Sequence, residues 1–217
     1  MPYFSSNKFS DYEINLLLAY CTICGILAIS PYYFLTWLVE NITVWLYLAL
    51  IIFLRLRYFR FSNMALFFIF LACCLHTIGG HFSFQAVPGG EHLTFWGPEG
   101  RNNFDRFGHF VCGLQAYPLI EFIVERKIVN SLFAAFLFSI LATEGIAAIY
   151  ELIEWLDVII AEKRFGEIYL GVQGDQWDAQ ADMLNCLAGS FVACTIFTGK
   201  KIITERKKKA RSSDGSH

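Results

Sequence analysis

From Ile14 onward the chain is a series of long apolar runs separated by short polar segments. A helix needs about 20 mostly apolar residues to cross the hydrocarbon core of a bilayer. The pattern predicts about six such spans, at 14–30, 33–54, 63–80, 106–124, 130–155 and 179–199. The second is ambiguous at its start. Its apolar run from Ile42 to Leu54 is too short alone, and extending it back to Tyr33 places Glu40 and Asn41 inside the span. Backbone polar groups in lipid must pair within the chain, so all six segments are expected to be helices. The fold class is therefore an all-α, polytopic transmembrane helical bundle. It forms one domain over residues 1–217, with 200–217 as a basic cytoplasmic tail.

Composition points the same way. Of the 217 residues, 56% are hydrophobic and only 17% are charged, against about 25% charged in a soluble domain. A bilayer explains the excess, because lipid-facing and packing surfaces must both be apolar. The seven cysteines all lie in apolar runs and are expected to be small core residues. Cys21 and Cys24 form a CxxC at membrane depth, where packing is a better reading than redox or metal chemistry. No cleavable signal peptide is expected, since no basic start and small-residue cleavage site flank the first apolar run.

Charge supplies direction. Lys8, Arg55, Arg57, Arg60, Arg126, Lys127 and the seven basic residues from Lys200 to Arg211 fall on one face of a six-span chain, 13 of the 17 Lys and Arg. The other face keeps Arg101, Arg106, Lys163 and Arg164. Basic loops stay in the cytoplasm, so both termini are expected there, in a cell inner membrane. The basic tail is explained as a topology signal, with contact to anionic lipid as a lesser role.

That topology gathers the histidines and most acids of the second half at the extracytoplasmic surface. His76 ends span three, and Asp105, Arg106 and His109 open span four. Glu144, Glu151, Glu154 and Asp157 occupy the outer half of span five, and Asp175, Asp178, Asp182 and Asn185 lead into span six. Helical spacing puts the acids of span five on one broad face, and Asp178, Asp182 and Asn185 on another. Such groups are unfavourable in a membrane, roughly +2.5 to +3.5 kcal/mol for an Asp near a helix centre, and mark a functional site by default.

Histidine with Asp or Glu at helical spacing is how bundles build metal centres. The expected ligands are His76, Asp105, His109, Glu144, Asp175, Asp178 and Asp182, with zinc, manganese or iron as the divalent metal. Glu151 or Glu154 is the candidate catalytic base for an activated water. The substrate expected at that surface is a lipid or lipid-linked molecule. The bilayer is the expected partner, and no nucleic acid is. Two other readings stay open. One is an ion-coupled small-molecule transporter with a carboxylate relay, although Glu121 alone continues toward the cytoplasmic side. The other is a non-catalytic structural protein whose acids pair with Arg106, Lys163 and Arg164 or cap helix starts. The Gly- and Pro-rich loop from Gly79 to Asn103 reads as a lid over the pocket or a disordered interface loop. Gly166–Trp177 is expected to turn back toward the membrane.

Several motifs resemble the YjdF family, bacterial inner membrane proteins with a domain of unknown function. They are His76 with Gly79-Gly80, Asp105-Arg106 with His109, Glu144/Glu151/Glu154-Trp155, Gln173-Gly174-Asp175, Trp177-Asp178 and Asp182-Met183, within roughly residues 60–200. The resemblance implies a multi-pass inner membrane location and no established reaction. The pattern Asp178-x3-Asp182-x2-Asn185-x3-Gly189 is also similar to the end of VanZ-like membrane proteins.

Overall fold

The computed structural model describes residues 8–93, 99–160, 173 and 175–214. It contains α1 (Asp11–Leu27), α2 (Phe34–Arg57), α3 (Asn63–Phe82), a 3-10 turn (Gly90–His92), α4 (Phe104–Gly113), α5 (Ala116–Glu125), α6 (Leu132–Ile160) and α7 (Asp178–Asp214). Among the described residues, five stretches are long and apolar enough to cross a membrane: Phe34–Arg57, Asn63–Phe82, Phe104–Glu125, Leu132–Leu156 and Asp178–Ser212. α1, with 17 residues, sits at the short end of that range. The fold is an all-α membrane bundle. Leu35, Leu46, Phe133, Leu141 and Ile146 are exposed on its outside, as a lipid-facing surface requires.

Local signals start the helices. Ser10 and Glu13 form a reciprocal capping box at α1. The Ser62 hydroxyl accepts the Ala65 N–H at the start of α3. Pro118 lacks the N–H that would bond the Leu114 carbonyl, so the fourth expected span breaks into α4 and α5 there. The Tyr117 N–H bonds Leu114 instead, in a tighter turn. The Gln115 side chain fills the break, donating to the Phe68 carbonyl and accepting from Tyr47 Oη at 2.8 Å.

Cross-bundle contacts sort the two ends. At one end Arg55 pairs with Glu13 and donates to the Lys8 carbonyl. There too Arg126 reaches the Tyr58 carbonyl and Lys201 meets Glu125 at 2.6 Å. At the opposite end Tyr32 bonds the His81 carbonyl and His81 bonds the Leu27 carbonyl. The apolar core between them runs from Phe61, Ala65 and Phe68 through Val111, Tyr117 and Ile120 to Cys194 and Phe197.

Two features differ from the expected layout, and a third adds to it. Gly79 and Gly80 lie inside α3, which runs on to Phe82, instead of opening the loop. The basic segment after 199 is helical as far as Asp214, continuous with α7. Its Lys, Arg, Glu and Ala are good helix formers, and Gly199 keeps a helical backbone. Finally, Cys21 is exposed on α1, whereas Cys73, Cys74, Cys186 and Cys194 are buried as expected. The turn expected over Gly166–Trp177 lies mostly outside the described residues. So do Lys163, Arg164 and the side chain of Asp157.

Candidate functional site

The site depends on how α4 and α7 cross, the most extensively packed helix pair in the bundle. Gly113 and Gly189 sit at the crossing. A Cβ on Gly113 would fall on the Cys186 carbonyl oxygen, and one on Gly189 would fall on the Phe110 carbonyl oxygen. Small residues that let backbones touch are the usual device of membrane helix packing. This contact brings the first turns of α4 against the first turns of α7, and α6 packs against both.

Two arginines hold the acids that lead into α7. Arg106 is fully buried and donates through Nη2 to Asp175 at 2.5 Å and to Asp178 at 3.2 Å. Arg101, also buried, donates to the same Asp178 oxygen at 2.5 Å. Asp175 lies before the helix, where the Trp177 backbone N–H and the Arg106 guanidinium hold its carboxyl below the usual carboxylate range. Asp175 and Asp178, expected as metal ligands, are thus placed with arginines.

Deeper in, Asp105, His109 and Asp182 each offer a ligand atom, all within 4.8 Å of one another. His109 Nε2 lies 3.3 Å from Glu151 Oε1 and 3.8 Å from Asp105 Oδ1. Asp182 is 2% exposed, yet its Oδ1 has no hydrogen-bond partner among the described residues, and neither has His109 Nδ1. Glu154 lies within electrostatic reach of Asp105, Glu151, Glu40 and Asp182. Glu144 stands apart with a carboxylate facing Cys186 on α7.

His76 joins a neighbouring group. Its Nε2 is 2.6 Å from Glu40 Oε2, and Tyr150 Oη donates to the same oxygen at 3.2 Å. The Tyr150 ring stands edge-on between His76 and His109, with centroids 6.3 and 6.1 Å away. Sequence reasoning placed Glu40 in a span but gave it no role. A carboxylate inside an apolar run was the available signal. Tyr150 carried no such signal, because tyrosine is ordinary in a membrane helix.

A cavity of about 430 Å³ opens from this cluster, within the usual range for ligand sites of ~300–1,000 Å³. His76, Asp105, His109 and Tyr150 line one end, and Leu54, Phe61 and Phe122 the other. Phe84 closes the polar end against His76, with ring centroids 5.6 Å apart. The described part of the loop above is tied down. Asn102 donates to the Val87 carbonyl, Asn103 to the Leu93 carbonyl, and Gln173 and Asn102 exchange two hydrogen bonds.

Taken together, the expected ligands separate into three groups. Asp105, His109 and Asp182 converge, with Glu151 beside them. Asp175 and Asp178 go to arginines, and His76 goes to Glu40. Glu144 joins none of these.

A family model described as "Predicted membrane protein (DUF2238)" matches residues 12–201. Inner membrane protein YjdF of Escherichia coli (strain K12) is 35% identical over 164 residues, covering 75% of this chain and 77% of that protein. No solved structure matches.

Proposed function

This chain belongs to the DUF2238 family of predicted membrane proteins, and from that premise we propose that it is a metal-dependent inner membrane enzyme. Its site faces the extracytoplasmic side and acts on a lipid or lipid-linked substrate. The side assignment rests on the positive-inside rule, since Lys8, Arg55, Arg60, Arg126 and Lys201 meet at the end opposite the site. The inner membrane assignment follows the relative's printed description.

One observation carries the metal reading. Arg101 and Arg106 are engaged by Asp175 and Asp178. Asp105, Asp182 and Glu151 then share a buried space with His109, and among the described residues Asp182 Oδ1 is left without a donor. Buried carboxylates at such range repel, and a cation offsets the repulsion. Two carboxylates and an imidazole suit zinc, manganese or iron. At roughly 2.0–2.2 Å per bond, two ligands stand at most about 4.4 Å apart, so the three side chains close on an ion with small rotations. A divalent ion there would supply Lewis-acid chemistry at a phosphoryl or acyl oxygen. Glu151, 3.3 Å from the cavity-lining His109, would take a proton from the attacking water. Arg106 positions the first turn of α7, and with it Asp182, against α4.

The test is elemental analysis of the full chain purified in detergent without chelators. We expect about one equivalent of zinc, manganese or iron. Asp182→Asn should lower it at least tenfold, because a ligand is removed, and Glu144→Gln should leave it unchanged. A metal-free wild-type protein that is folded and stable would sink the reading. The acids would then share protons, as a transporter's relay requires.

A further inference from the structure

The cavity continues well beyond the groups that the proposed chemistry uses. Its walls below the polar cluster come from Leu50, Ile51 and Leu54 of α2, Leu119 and Phe122 of α5, and Ile146 and Ala147 of α6. Tyr47 and Gln115 also line it, but they bond each other. From Thr43 to Leu54 the helix rises roughly 16 Å, close to half of the ~30 Å hydrocarbon core. Asp105 and Phe122, which line opposite ends, are 17 residues apart along the α4–α5 span, roughly 25 Å of helix rise, so the cavity runs past the bilayer midplane toward the basic end.

The cavity also has a side door. α2 packs on α3, and α6 packs on α4, α5 and α7, but among the described residues α2 and α6 form no comparable interface with each other. Leu50 and Ile146 line the cavity from these two helices and are 51% and 68% exposed. The Tyr150–Glu40 hydrogen bond bridges the two helices at the polar end. In a membrane-embedded chain such a slot opens onto acyl chains, not onto water.

We propose that this slot seats one fatty-acyl chain of a bilayer phospholipid, entering sideways between α2 and α6, with its polar end toward Asp105, His109 and His76. The inference deepens the enzyme reading and rests on it for the role of that polar end. The acyl seat itself rests on the apolar walls and the lateral mouth. Phe61, Phe122 and Leu54 form the floor, and so set the chain length the slot accepts. A long polyisoprenoid would not fit within about 430 Å³.

The full chain is reconstituted in phosphatidylethanolamine and phosphatidylglycerol vesicles. A small fraction of the phosphatidylglycerol carries a diazirine at the end of one acyl chain. After illumination, adducts are mapped by peptide mass spectrometry. We expect them to concentrate on Leu50–Leu54, Phe61 and Leu119–Phe122. Ala147→Trp should lower these adducts about tenfold, a shift equivalent to ~1.4 kcal/mol in occupancy. Adducts on the outward residues Leu35 and Phe133 should not change. Ile146→Trp, at the exposed mouth, gives the same test if Ala147→Trp fails to fold. Adducts spread over outward faces only, or untouched by both tryptophans, overturn the proposal. So does preferential labelling of the slot by a diazirine polyprenyl phosphate. Asp182→Asn should keep the slot adducts. A labelled slot in a metal-free protein therefore sinks the metal reading alone, and a metal-loaded protein with an unlabelled slot sinks the acyl seat alone.

Discussion

Replacing Gly189 with leucine is expected to force α4 away from α7 and to dismantle the candidate site. The obstruction is backbone. A Cβ at this position would fall on the Phe110 carbonyl oxygen, and the Gly113 Cα lies just beyond. Rotamer changes cannot relieve that clash, so the helices must separate. Overpacking typically costs about 1–3 kcal/mol, more when backbone has to move, and we expect Gly189→Leu to lose about 3 kcal/mol or more. The site suffers with the fold, because Asp105 and His109 stand on α4 while Asp182 stands on α7. Gly145→Ala is the control. Open space surrounds that position on α6, and the change should be neutral or stabilise by roughly 0.5–1 kcal/mol. Thermal unfolding in detergent, together with metal content, measures both effects. A Gly189→Leu protein as stable as wild type would show that the two backbones do not touch.

Arg106→Met is the second large effect. The guanidinium is fully buried and bonds two carboxylates. Removing one partner of a buried pair leaves the other uncompensated, at about 3–5 kcal/mol. Here the expected loss lies near the lower figure. Asp178 keeps Arg101, and the Asp175 side chain is 15% exposed. Arg106→Met/Asp175→Asn should recover part of it, and the double-mutant cycle isolates that pair. pH provides a further check. The carboxyl of Asp175 is held low by the Trp177 N–H and by Arg106. Its stabilisation is therefore full above the ordinary Asp range near ~4 and fades as pH falls through the lowered value. Arg106→Met should show a weaker acid loss than wild type across that window. A loss under about 1 kcal/mol at neutral pH would mean that the pairing is solvated.

The candidate site was legible in part. Helical spacing put Asp105 with His109, and Asp178 with Asp182, on shared faces. Both pairings hold on α4 and α7. Spacing says nothing about which helix a face meets. It therefore placed His76 among metal ligands, whereas the fold turns it to Glu40, on a span whose start was itself ambiguous. It also could not rank the acids. Asp178 is paired with both Arg101 and Arg106 and Asp175 with Arg106, whereas Asp182 faces Asp105 and His109. Arg101 sits in the loop before α4, and its reach depends on how that loop folds.

What the sequence determined by itself is what one segment can express alone. Length and apolar content make the helices and put them in a membrane, Ser10 and Ser62 start two of them, and Pro118 breaks one. The distribution of Lys and Arg separates the basic end from the acidic one. Tertiary structure decided which carboxylates are neutralised and which are left facing one another. That choice depends on the Gly113–Gly189 contact and on where Arg101 and Arg106 come to lie against the start of α7. Both are distances between segments far apart in the chain, and only packing sets them.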